Sequence, residues 1–184
     1  MNEAPPELKK SSLIYTGRVF TITVDELTFP DGRDVRMDVV RHPGSVVLLP
    51  MTAPDRILLV RQYRYVVDRW LWELPAGTRE AGESLEAAAL RECHEEIGKL
   101  AGRLQTLLRF FPSPGFCDEE MHFFLLSELR DRLPGETAAH QDPDEILHVK
   151  EFEVSEVREM IRSGEIVDMK TAVGVGLLEG KSKK

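Results

Sequence analysis

Two short runs constrain this chain most: residues 46–49 (Val-Val-Leu-Leu) and 57–60 (Ile-Leu-Leu-Val) are apolar at every position. Side chains along a strand alternate between faces. A half-exposed strand therefore shows polar residues at every second place, whereas an unbroken apolar run is covered on both sides. Residues 45–50 and 56–62 are expected as strands of a sheet with a layer against each face. Residues 13–40 read differently. Phe20, Ile22 and Val24 alternate as in a half-buried strand, and Pro30-Asp31-Gly32 supplies turn chemistry before Val35 and residues 37–40. That is the pattern of a small antiparallel unit. The stretch Arg41-His42-Pro43-Gly44 separates two blocks that share no repeat. The expected organisation is an N-terminal antiparallel extension over 1–43 and a main domain over 44–184. The opening MNEAPPELKK is read as a solvated lead-in and the terminal KSKK as a solvated tail.

Residues 84–97 combine alanines, leucines and glutamates into a strong helix former, with Ser84 as N-cap and Gly98 as the stop. Leu85, Ala88, Ala89 and Cys93 make its apolar stripe. Strands are expected again at 104–111 and 121–126, around a loop rich in Pro, Ser and Gly, and at 146–152. Residues 154–162 read as an amphipathic helix with Val157, Met160 and Ile161 on one side and Gly164 closing it; Asp168 caps a last helix ending near Glu179.

The 184 residues carry 32 acidic and 24 basic side chains, a formal charge of −8. That balance argues against a phosphate-neutralising face, so no nucleic-acid partner is expected. The apolar runs fall far short of the roughly 18 residues of a bilayer span, and the N-terminus lacks the apolar core of a secretory signal. No membrane partner is expected. Cys93 and Cys117 form neither a disulfide framework nor a CxxC pair, which points to reduced thiols in the cytoplasm.

The acid is concentrated. Six glutamates lie within residues 80–96. On a helix Glu92 and Glu96 are one turn apart and project from one face, with Glu95 beside them. Like charges so placed repel unless a cation lies between them, and an all-oxygen donor set suits a hard divalent ion such as Mg²⁺. A solvated charged face is the other reading of a glutamate-rich helix. Arg91 and Glu95, also four apart, have the spacing of an ion pair that would orient the carboxylate. Gly77 and Gly82 bracket the loop entering the helix.

Gly77, Glu83, Arg91, Glu92, Glu95, Glu96 and Gly98 fit G-x5-E-x7-R-E-U-x-E-E-x-G-U, and the segment closely resembles the signature of the Nudix hydrolases. Seven such identities coincide by chance about once in 10⁸ windows, which decides against the solvated face. Cys93 and Lys99 stand where the pattern has bulky aliphatic residues. The resemblance implies an α/β fold, the Nudix α/β/α sandwich with a mixed sheet, here carrying the N-terminal antiparallel strands. It implies Mg²⁺ or Mn²⁺ held by Glu92, Glu96 and the Ala76 carbonyl, with Glu95 as a ligand or supporting carboxylate and Glu83 in a structural or outer role. No acid of the set is missing, which favours an enzyme over a Nudix-fold sensor that binds ADP-ribose without cleaving it.

The flanks narrow the substrate. Arg61-Gln62-Tyr63-Arg64 followed by Trp72-Glu73-Leu74-Pro75-Ala76-Gly77 is similar to the QxR…ELPAG arrangement of ADP-ribose pyrophosphatases. Pro112-Ser113-Pro114-Gly115-Phe116 with Asp118-Glu119 resembles their SPG loop, and Asp144-Glu145-Ile146 and residues 164–171 resemble their C-terminal pattern. By this resemblance Arg64, Arg61, Glu73, Pro114, Gly115 and Phe116 contact substrate, and Glu145 accepts the proton of the attacking water, with Glu95 as the alternative base. Each has a plainer reading: solvated strand arginines, a tight connection, a turn carboxylate. Trp72 and Phe116 fit either a core or a base-facing position. The implied reaction is Mg²⁺-dependent cleavage of ADP-ribose to AMP and ribose 5-phosphate; another nucleoside diphosphate sugar such as GDP-mannose is the nearest rival. Relatives with such an extension are homodimers, so the N-terminal strands are expected at a subunit interface.

Overall fold

The computed structural model describes residues 4–136 and 146–178. These fall into two compact units: the residues up to Gly44 together with Phe110–Glu120, and Ser45–Arg109 together with those from Met121 onward.

The first unit is an antiparallel meander of β1 (Glu7–Thr16), β2 (Thr21–Thr28) and β3 (Asp34–Arg41), in that order. Gly32, at φ +84°, closes the β2–β3 turn, its N–H donating to the Phe29 carbonyl at 2.9 Å. β1 already starts at Glu7, so the last four residues of the expected lead-in are strand. Its charged residues mimic a solvated tail because β1 is an edge strand, exposed at every position but one, and only its pairing with β2 distinguishes the two. Inside the meander Asp25 is buried at 5% exposure; Ser11 donates to it at 2.6 Å and Arg41 pairs with it. The loop containing Ser113 belongs to this unit. The Val40 N–H donates to the Phe116 carbonyl at 2.8 Å, and the Asp118 N–H to the Val40 carbonyl at 3.1 Å. Asp118 then accepts from the His42 N–H at 2.8 Å and from Arg41 at 3.1 Å.

The second unit holds β4 (Ser45–Ala53), β5 (Arg56–Arg64), β6 (Arg69–Glu73), β7 (Ala76–Thr78), α1 (Leu85–Ile97), β8 (Lys99–Phe110), β9 (Met121–Asp131), β10 (Leu147–Glu153), α2 (Val154–Ser163) and α3 (Met169–Leu177). Its sheet is mixed: the order is β10-β5-β4-β9-β8, with β6 on β5 and β7 on β4, and β4 runs parallel to β9 but antiparallel to β5. The apolar runs divide by parity. Val46 and Leu48 pack with Ala88, Ala89, Cys93 and Ile97 of α1, whereas Val47 and Leu49 pack with Val154, Val157 and Met160 of α2 and Val175 of α3. All four β4 residues have 0% exposure, and burying each stabilises the sandwich by about 1.5–3 kcal/mol. This is the α/β/α layering.

Several bounds differ from the sequence reading. β8 starts at Lys99 rather than 104 and β9 runs on to Asp131. β8 ends the sheet, and its mixed, mostly exposed residues blur the period-two signal. α3 ends at Leu177, short of Glu179. α1 matches its expected caps: the Ser84 Oγ accepts from the Ala87 N–H at 3.1 Å, and Gly98 sits at φ +67°. Lys99 tolerates its aliphatic position by reaching outward to Asp131 at 2.6 Å. Burial pushes the Cys93 thiol up to about 12, so it packs as a small hydrophobe. Among the described residues no helix is long and apolar enough to cross a membrane.

Candidate active site

α1 brings its acids together because 3.6 residues per turn place Glu92 and Glu96 on the face turned toward β7. Both are buried, at 8% and 6% exposure. The Ala76 N–H donates to Glu96 Oε2 at 3.0 Å. Glu92 lies directly over Gly77. A Cβ built there would stand 1.8 Å from Glu92 Oε1. Gly77 is thus required by close approach, whereas Gly82 is the residue of this loop with a left-handed backbone, at φ +80°. Gly77→Ala should displace the Glu92 carboxylate and cost about 1–3 kcal/mol of stability. A urea midpoint unchanged from wild type would contradict this packing.

Arg91 is the hub of the remaining acids. Its Nε and Nη2 donate to the two oxygens of Glu83, each at 3.0 Å, and Nη1 donates to Glu92 Oε1 and Glu95 Oε2, each at 2.7 Å. The Arg91–Glu95 spacing does form an ion pair. Glu83 is held below the usual carboxylate range by its Arg91 hydrogen bonds, and Arg91 in turn is raised by Glu83 first. Arg91 Nη1 thus ties Glu95 to Glu92, whose carboxylate also lies over Gly77 of β7. Among the described residues no three acidic, His or Cys groups already converge as a metal cage.

A second cluster adjoins it. Arg64 clamps Glu73 with two hydrogen bonds, Nε to Oε1 at 2.8 Å and Nη2 to Oε2 at 2.6 Å. Lys170 of α3 donates to the same Glu73 Oε2 and lies 3.2 Å from Asp168. Burial works to raise the Glu73 carboxyl, but the Arg64 hydrogen bonds and the Lys170 charge outweigh it and hold it below its usual range. The Glu73 bond raises Arg64, on which Glu96 and Asp168 also act electrostatically. The two clusters therefore share one electrostatic neighbourhood.

Of the expected substrate residues, Arg64 and Glu73 stand together and Arg61 does not join them. Three positions along one strand change face, and Arg61 is exposed with its guanidinium 5.5 Å from the Trp70 ring. Pro114, Gly115 and Phe116 belong to the other compact unit, where Phe116 is 58% exposed. Trp72 packs, partly buried, against the core, edge-on to Phe152 at 4.9 Å. Glu145 lies outside the described residues. The sequence places Lys170 and Thr171 within the matched segment 164–171 but gives neither an individual role. Lys170 is the one charged residue in the helix MKTAVGVGL, and a lone charge in an apolar helix is a signal that a buried counter-charge awaits it.

Residues 41–168 match the family model described as NUDIX domain. The chain is 36% identical to the ADP-ribose pyrophosphatase of Bacillus subtilis (strain 168), over 91% of this chain and 89% of that protein. It is 35% identical to the methanol dehydrogenase activator of Bacillus methanolicus, over 92% and 90%. A solved structure titled as that of an ADP compounds hydrolase covers 100% of both chains with a TM-score of 0.81 at 20% identity, a likeness of fold. The acid-bearing helix over a glycine, the mixed sheet between helix layers and these matches agree: this chain belongs to the NUDIX family.

Proposed function

We propose that the protein is a pyrophosphohydrolase that cleaves the diphosphate of ADP-ribose to AMP and ribose 5-phosphate with Mg²⁺ or Mn²⁺. The observation that carries the reading is the complete acid set of α1, seated on Gly77 and Ala76 in a chain similar almost throughout to an ADP-ribose pyrophosphatase. Glu83, Glu92 and Glu95 share one guanidinium, three carboxylates to one cation, so the cluster carries a negative excess made of oxygen donors. That fits a hard divalent cation. Glu92, Glu96 and the Ala76 carbonyl would hold it, with Glu95 as a further or supporting carboxylate. Bound there, such an ion polarises phosphoryl oxygens and acidifies water.

The chain's own residues supply the rest. Arg91 fixes the Glu95 carboxylate, and the Arg64 side chain, 40% exposed, presents a permanent charge to a phosphate while Glu73 holds its plane. Pro114, Gly115 and Phe116 are proposed as further substrate contacts. A carboxylate must take the proton of the attacking water, and Glu145 is assigned that role ahead of Glu95. Incubation with ADP-ribose and Mg²⁺ should release AMP; inactivity across Mg²⁺ and Mn²⁺ would sink the substrate assignment. If Glu145→Gln keeps nearly full kcat, the base lies on α1 instead. GDP-mannose remains the comparison substrate, because the ELPAG and SPG features are shared by enzymes acting on it, and kcat/KM on a substrate panel separates the two.

Strands over 1–43 are proposed as a dimerisation element, supported by Leu8, Leu13, Ile14 and Tyr15 of β1, each more than half exposed. A monomer mass by light scattering at micromolar concentration would count against it. The unpaired thiols suit a reducing, cytoplasmic setting.

A further inference from the structure

We infer that Thr171 is a positioning residue for the carboxylate site: its hydroxyl, oriented by Asp168, holds the link between β6 and β7 where Ala76 meets Glu96. That link is only Leu74 and Pro75. Proline has no N–H, so the link carries a single backbone donor, at Leu74. The Leu74 N–H donates to Thr171 Oγ1 at 2.7 Å, and the Pro75 carbonyl accepts from the Leu48 N–H at 2.8 Å. Thr171 has 0% exposure, and its own hydroxyl proton goes to Asp168 Oδ2 at 2.5 Å. With that proton committed, the oxygen faces Leu74 as an acceptor only.

The next turn of α3 repeats the fit. Gly174 lies three residues on, over the same helix face, and a Cβ there would stand 2.4 Å from Leu74 Cδ1. Two independent features of α3 are thus built around one residue of the link. Immediately beyond it, Ala76 gives its N–H to Glu96 at 3.0 Å and Gly77 has no room beneath Glu92. A shift of Leu74 therefore passes through two covalently joined residues into the seats of both carboxylates. Capping of α3 does not account for the hydroxyl, because Asp168 caps the helix through the Thr171 N–H at 3.0 Å.

The inference rests on the proposed metal-dependent reading only for what the seated carboxylates are used for. Its test combines amide hydrogen exchange by NMR on the full chain with Mn²⁺ titration by EPR in the absence of substrate. Thr171→Val should accelerate exchange at the Ala76 amide about tenfold or more while the Phe123 and Phe124 amides of β9 keep their wild-type rates. It should weaken Mn²⁺ binding by about 10–100-fold, the usual cost of losing an outer partner of a metal site. Thr171→Ser should restore both. Ala76 exchange that is unchanged, or that rises only in step with Phe123 and Phe124, would overturn the inference. Should the wild-type chain bind no Mn²⁺, the metal reading fails and the Ala76 exchange still decides the role of Thr171.

Discussion

Glu96→Gln should yield a folded protein whose kcat on ADP-ribose drops on the order of 10³-fold, about 4 kcal/mol of barrier at 1.36 kcal/mol per factor of ten. The substitution is close to isosteric, and the amide oxygen still accepts from the Ala76 N–H that now reaches Glu96 at 3.0 Å. What disappears is the charge. Removing one of two buried like charges on a helix face, Glu92 and Glu96 at 8% and 6% exposure, relieves repulsion in the metal-free chain. Thermal melting without metal should therefore give a Tm equal to or above that of wild type. Loss of activity with retained or raised Tm is the signature of a residue kept for function at the expense of stability. A variant with a tenth or more of wild-type kcat would remove Glu96 from the site.

Lys170→Met should have the largest effect on stability. Lys170 and Glu73 have side-chain exposures of 8% and 2%. Breaking a buried pair from one side costs about 3–5 kcal/mol, and because Arg64 stays on Glu73 the lower end, about 3 kcal/mol, is expected. For a chain of this length that lowers Tm by roughly 6–12 °C. The pH dependence follows from the direction of the Glu73 shift. Its folded value is depressed, so its contribution is complete above the ordinary 4.5 and is lost as pH falls through the lower folded value. Lys170 is one of the groups that depress it, so the wild-type and Lys170→Met Tm curves should converge below pH 4.5. A constant Tm difference from pH 7 to pH 3 would show that packing, and not charge, dominates at Lys170. Adding Glu73→Gln to Lys170→Met should cost less than the two single changes together, since the second removes a charge the first had already left short of a partner.

Much of the site was legible because its chemistry is local. Glu92, Glu95 and Glu96 lie within one and a half turns of one helix, so helical periodicity alone places them, and Ser84 and Gly98 mark its ends. Arg64 and Glu73 were named from motifs nine residues apart, but no periodicity says that they clasp each other. Arg61 shows the limit: one motif holds two arginines, and strand alternation sends them to opposite faces. Lys170 and Thr171 reach Glu73 and Leu74 across 97 positions of sequence, a separation over which local pattern carries no information.

Local pattern in the chain suffices for the two-faced sheet and for the carboxylate helix with both caps, since each depends on short-range sterics and side-chain period. Only the tertiary structure decided why glycine is needed at position 77, which arginine stands with Glu73, and that the loop bearing Pro114 and Phe116 is bonded along β3. It also decided that α3 holds the link between β6 and β7. These are matters of which distant segments pack together, and that choice is made by long-range burial and buried hydrogen bonds.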